Sequence, residues 1–144
     1  MKNELAMFGM GCFWAPQKLF NSIPGVKKTI VGYAGGSKEN PTYKEVCVGK
    51  TGHTEVIKIE YNPKEISYED LLNIFWKNHN PEIKNKEQYK SIVFYYDEKQ
   101  RALAEKKKEE RYITEILPAP EFYKAEECHQ NYYKKSSDDD IIKI

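Results

Sequence analysis

Leu5-Ala6-Met7-Phe8-Gly9-Met10-Gly11-Cys12-Phe13-Trp14 holds the junction on which the fold turns: an apolar run of strand length, a glycine-punctuated bend, a cysteine and two aromatics that open a helix. A short apolar run bounded by glycine reads as a buried strand. Pro16 is tolerable only in a first helical turn, so the helix must begin near Cys12, and it runs through Phe20. Cys12 is thereby placed at a helix N-terminus, whose unpaired N–H groups and partial positive charge favour a thiolate, the nucleophilic form of cysteine. Read alone, the residue fits a small buried hydrophobe at a strand-to-helix junction equally well.

Outward from that junction, strands and helices alternate. Asn21 to Gly25 stops the helix and Val26 to Tyr33 returns as a β-rich run ending in Gly35-Gly36. Glu39 to Lys50, around Asn40-Pro41, is turn-rich and predicted irregular. His53 to Tyr61 alternates apolar Ile57, Ile59 and Tyr61 with Lys58 and Glu60, the period of a half-exposed strand. Ser67, with Asp70 three residues on, makes a capping-box start for a helix whose apolar face is Leu71, Leu72, Phe75 and Trp76 and which ends at His79-Asn80-Pro81. Ser91 to Tyr96 is a further strand, Asp97 caps a polar helix through about Arg111, and Ile113 to Ile116 is the last strand predicted. The pattern is α+β with βαβ character.

Composition narrows the function classes. The 144 residues suffice for one domain with a real core, over 1–135, followed by a polar tail, 136–144, around Asp138-Asp139-Asp140 that is expected to be loosely ordered. A net charge of +1 with 31% charged residues offers no field of one sign to nucleic acid or a membrane surface. No spanning-length apolar stretch or signal-peptide pattern is present, so a cytoplasmic location is expected. Three cysteines, at 12, 47 and 128, form no close CxxC pair, which suits a reducing compartment better than a disulfide framework. Their only short-range partnership with histidine is the adjacent Cys128-His129, a spacing that rarely chelates one ion, so no metal site is assigned.

Five islands, in order, carry a resemblance: Gly11-Cys12-Phe13-Trp14, Val31-Gly32-Tyr33-Ala34-Gly35-Gly36, Asn40-Pro41-Thr42-Tyr43, Thr51-Gly52-His53-Thr54-Glu55 and Gln88-Tyr89-Lys90-Ser91. From about Leu5 to about Tyr133 the chain resembles the peptide methionine sulfoxide reductase A family, and ordered agreement over several islands is far more specific than any single motif. The resemblance implies a two-layer α/β sandwich with a small mixed sheet, ferredoxin-like βαβ character and much irregular coil. It also implies thiol-dependent reduction of the S epimer of methionine sulfoxide, free or in oxidised proteins, with no bound cofactor; a monomer is expected, since the site must admit exposed methionines on large partners. Cys12 is then the nucleophile. Glu55 is the acid for the sulfoxide oxygen, a role suited to a partly desolvated carboxyl that keeps its proton. Tyr43 and Tyr89 donate hydrogen bonds to that oxygen, and Phe13 and Trp14 form an aromatic wall for the substrate's S-methyl group.

The implied cycle leaves Cys12 as a sulfenic acid, the reversible first rung of cysteine oxidation. Many family members reduce it with cysteines in a glycine-rich C-terminal tail, and Lys134 to Ile144 contains none. Cys128, beside His129 in a polar segment, is the possible resolving thiol, alongside direct reduction by thioredoxin, glutaredoxin with glutathione, or a small dithiol. Cys47, in the apolar context Glu45-Val46-Cys47-Val48-Gly49, resembles a position where the family carries a buried, non-catalytic cysteine. The family also supplies an aspartate before the Tyr89 island; here Asn80 to Gln88 contains none, and only Glu82 and Glu87 offer a carboxyl. Rival readings are a cysteine-based thiol peroxidase, which would ignore sulfoxide configuration, and a binding module for oxidised peptides, which would need no acid at Glu55.

Overall fold

The computed structural model describes residues 2–134; the polar tail 136–144 lies outside them. Among the described residues, six strands form one sheet in the order β5-β4-β1-β3-β2-β6. Strands β1 (Glu4–Met10), β2 (Val26–Ala34), β3 (Thr54–Tyr61) and β4 (Ser91–Tyr95) make its antiparallel centre, β5 (Glu115–Pro118) pairs with β4 in parallel, and β6 (Phe122–Lys124) pairs antiparallel with β2. Helices α1 (Trp14–Asn21), α3 (Tyr68–Lys77) and α4 (Glu98–Lys107) link β1 to β2, β3 to β4, and β4 to β5, with the short α2 (Tyr43–Val48) between β2 and β3. The α+β reading therefore holds.

Why β1 reads as continuously apolar is evident from its place between β4 and β3. Phe8 and Met10 join the larger core, where Phe8 stacks on Phe75 of α3 at 4.8 Å, while Met7 joins a smaller cluster with Ala34, Val56, Ile92 and Phe94. A strand covered on both faces cannot alternate polar and apolar residues. On β3, Ile57, Ile59 and Tyr61 belong to the helix-side core and Val56 to the other cluster. Glu55, two residues before Ile57, is thus directed to the same face as the helix-side core, and it is fully buried.

Three sequence expectations need correction. The segment predicted irregular contains α2, because Thr42 and Glu45 close a capping box and Gly49, at φ +86°, ends the helix in the left-handed conformation that glycine adopts without strain. Its β-branched Val46 and Val48 hid it. Helix α4 stops at Lys107 rather than near Arg111, the chain turning at Lys108. A further strand, β6, follows the one predicted as last; its three residues are too few for any period to register.

Candidate active site

Gly11, at φ +95°, turns the chain out of β1 and delivers Cys12 and Phe13 to the head of α1. Directly beneath lies Glu55. Its Oε1 accepts a hydrogen bond from the Phe13 backbone N–H at 3.2 Å, and its Oε2 accepts one from Gln88 Nε2 at 2.5 Å. Burial raises the Glu55 pKa, and these two donors oppose the rise only in part. The carboxyl is thereby biased toward its protonated form, as a proton donor requires.

Cys12 behaves differently from the sequence expectation of a favoured thiolate. Burial pushes its thiol up; a backbone hydrogen bond at Trp14 pulls it down, and charge on Glu55 and on Cys47 raises it further. Half-buried placement outweighs the helix terminus, which begins only at Trp14 and has no side-chain cap at Phe13. An ionised Glu55 carboxylate therefore makes the Cys12 thiolate harder to form.

Tyr43, the first residue of α2, and Tyr89, at the end of a 3-10 turn over Glu87–Tyr89, bring their phenols together over this pair. Burial raises both, and the charges on Glu55 and Cys47 reach both rings. Both phenols stay protonated at neutral pH and can donate to an oxygen bound there. Phe13 is buried and Trp14 partly buried, and the two line up in one aromatic cluster. Trp14 stacks on Tyr132 at 3.8 Å, and its Nε1 donates to His129 Nδ1 at 3.2 Å.

Cys12, Glu55, Tyr43, Tyr89, Phe13 and Trp14 are thus gathered in one place. Cys128 is exposed, and it is its neighbour His129 whose ring packs on Tyr43 at 4.2 Å and on Phe13 at 5.7 Å. Burial lowers the His129 pKa, so that ring is neutral near pH 7 and offers Cys128 no positive charge. Cys47, by contrast, is not the buried residue the resemblance implied. It is exposed, one helical turn from Tyr43 on the same face of α2, and its Sγ accepts a hydrogen bond from Gln88 Nε2 at 3.3 Å.

Several residues of the site were passed over by the sequence reading. Gln88, inside a recognised island, bridges Glu55 and Cys47 and is the polar group that the shortened segment contributes. Glu82 and Glu87 are turned to surface ion pairs with Arg111 and Lys90. Glu126 accepts from the Tyr33 hydroxyl and the Tyr43 N–H, both at 2.9 Å, tying α2 to the last described segment. Gln130, almost fully buried, pairs its side-chain amide with the N–H and C=O of Val31 and so docks His129 beside β2. No sequence pattern marks a lone polar residue that mimics a strand. Among the described residues, no group of three or more His, Cys, Asp or Glu could hold a metal ion.

Residues 4–144 match the family model described as peptide methionine sulfoxide reductase. The chain belongs to that family. A peptide methionine sulfoxide reductase MsrA of Methanococcus maripaludis is 50% identical over 93% of this chain and 94% of its own. Peptide methionine sulfoxide reductase A2-1 of Oryza sativa is 48% identical over 92% of this chain and 78% of its own. Mxr1 of Saccharomyces cerevisiae in reduced form superposes with a TM-score of 0.89 at 32% identity, covering 94% of this chain and 87% of that one. Mxr1 in complex with Trx2 matches at a TM-score of 0.68 and 26% identity, covering 91% and 85%. These reductases make the peroxidase reading unnecessary.

Proposed function

We propose that this chain reduces the S epimer of methionine sulfoxide, free or in oxidised proteins, using Cys12 as nucleophile and Glu55 as acid. The observation that carries the reading is the fully buried Glu55 carboxyl, its pKa raised, fixed by the Phe13 N–H at the head of the helix that follows Cys12. A sulfoxide oxygen leaves sulfur only once it is protonated or strongly hydrogen-bonded, and a buried acid flanked by two phenols meets that need. Phe13 and Trp14 supply the apolar wall for the S-methyl group.

In the reaction the Cys12 thiol gives up its proton, its sulfur attacks the sulfoxide sulfur to form an S–S bond, and Glu55 delivers its proton to the oxygen; passage of that hydroxyl to Cys12 breaks the S–O and S–S bonds together, and the thiol proton restores Glu55. The oxygen ends on Cys12 as a sulfenic acid and the substrate departs as the thioether, so one two-electron oxidation moves from substrate to enzyme. Two thiols then return Cys12 to its starting state, releasing water and a disulfide. Thioredoxin is the reductant favoured by the relative solved with Trx2. No helix among the described residues is long and apolar enough to cross a membrane. The deciding assay offers the two epimers separately with dithiothreitol and counts methionine by chromatography. Turnover of the S epimer alone is expected; equal turnover of both, or of neither, would sink the reading.

A further inference from the structure

Cys47 and Glu55 are held by the two ends of one interaction: the Gln88 amide nitrogen donates to both the Cys47 sulfur and the Glu55 carboxylate. Helix geometry puts the Cys47 side chain one turn after Tyr43, on the face that carries the Tyr43 phenol into the site. We propose that Cys47 is the resolving thiol, attacking the Cys12 sulfenic acid to form a Cys12–Cys47 disulfide. The proposal rests on the reading that Cys12 is the nucleophile.

Independent features agree with it. Charge on Cys47 reaches both the Tyr43 phenol and Cys12, so the three groups share one electrostatic environment. Cys47 is exposed, so an external dithiol can reach the disulfide to open it, whereas a buried bridge would be sheltered. At Cys128 the site is met by the neighbouring His129 ring, which already accepts the Trp14 N–H.

The step balances without a further co-reactant. The Cys47 sulfur loses its proton and attacks the Cys12 sulfur, the S–O bond breaks, and the oxygen leaves as water after taking up a proton at Glu55 or from solvent. Cys12 is reduced by one oxidation level and Cys47 oxidised by one. An external dithiol then opens the disulfide and restores both thiols.

A single turnover with excess S-methionine sulfoxide and no reductant tests this in the wild type and in Cys47→Ser and Cys128→Ser. The readouts are methionine formed, free thiols, dimedone labelling of sulfenic acid, and the cross-linked peptide by mass spectrometry. The chain has three cysteines. The proposal expects one methionine per wild-type chain, one thiol left, and a peptide joining Cys12 to Cys47. It expects the same cross-link with no thiol left in Cys128→Ser, and a dimedone-reactive Cys12 with one thiol left in Cys47→Ser. A Cys12–Cys128 peptide in the wild type, or two thiols and a dimedone adduct there, would overturn it while leaving the Cys12 chemistry intact. No methionine from any protein would overturn the underlying reading instead.

Discussion

The charge on Glu55 reaches the Cys12 thiol. Both groups are pushed toward their neutral forms by burial, and the charge on Glu55 further raises Cys12. Replacing Glu55 by Gln removes a charge that raises Cys12, so the thiol should titrate at lower pH even as catalysis fails. Alkylation of Cys12 by iodoacetamide, followed across pH, should show its midpoint move down in Glu55→Gln. Methionine formation at neutral pH should fall by about 10²–10³-fold, the usual effect of losing a proton donor at a developing oxyanion. An unmoved midpoint would mean that Glu55 does not face the thiol, and unchanged turnover would remove it from the acid role.

Helix α2 is the element on which the site depends most and the one that its own composition conceals. It has six residues, β-branched at two of them, and is held by the Thr42–Glu45 capping box, the Gly49 terminus and the Glu126 carboxylate on the Tyr43 N–H. Helix α3 has the same kind of cap, with Ser67 and Asp70, but packs Leu71, Leu72 and Phe75 in the core, away from the site. Thr42→Ala and Ser67→Ala should each cost about 1 kcal/mol in urea unfolding. Only Thr42→Ala should also lower kcat, because it loosens the helix that aims Tyr43 and Cys47. Equal kinetic effects of the two changes would show that cap loss acts through global stability alone.

Across the molecule, α3 is joined to the sheet by a buried polar chain. His79 Nδ1 donates to the Phe75 carbonyl and its Nε2 lies 2.7 Å from the Ser91 hydroxyl, which meets Thr114, itself the acceptor of the Trp76 indole N–H. Burial lowers the His79 pKa below its unfolded value. The stabilisation is therefore present above the ordinary imidazole range and is lost as pH falls through the folded pKa, since the unfolded chain takes up the proton first. The urea midpoint should drop between pH 7 and pH 5, less steeply in His79→Gln; an identical drop would locate the titration elsewhere, at the lowered His129 for instance. The strands β1 to β4 and helices α1, α3 and α4 were legible in the residues because hydrophobic period, caps and glycine breaks are local properties that each segment carries with it. Cys12, Glu55, Tyr43 and Tyr89 were legible as candidates because their islands match a family pattern. The Gln88 bridge, the Gln130 mimic of a strand, the exposure of Cys47 and the raised Cys12 thiol were not. Each depends on which distant segment removes water from, or donates a hydrogen bond to, a given atom, and burial and partnership exist only once the β2–β3 connection, the 86–89 turn and the 125–131 segment have folded against one another.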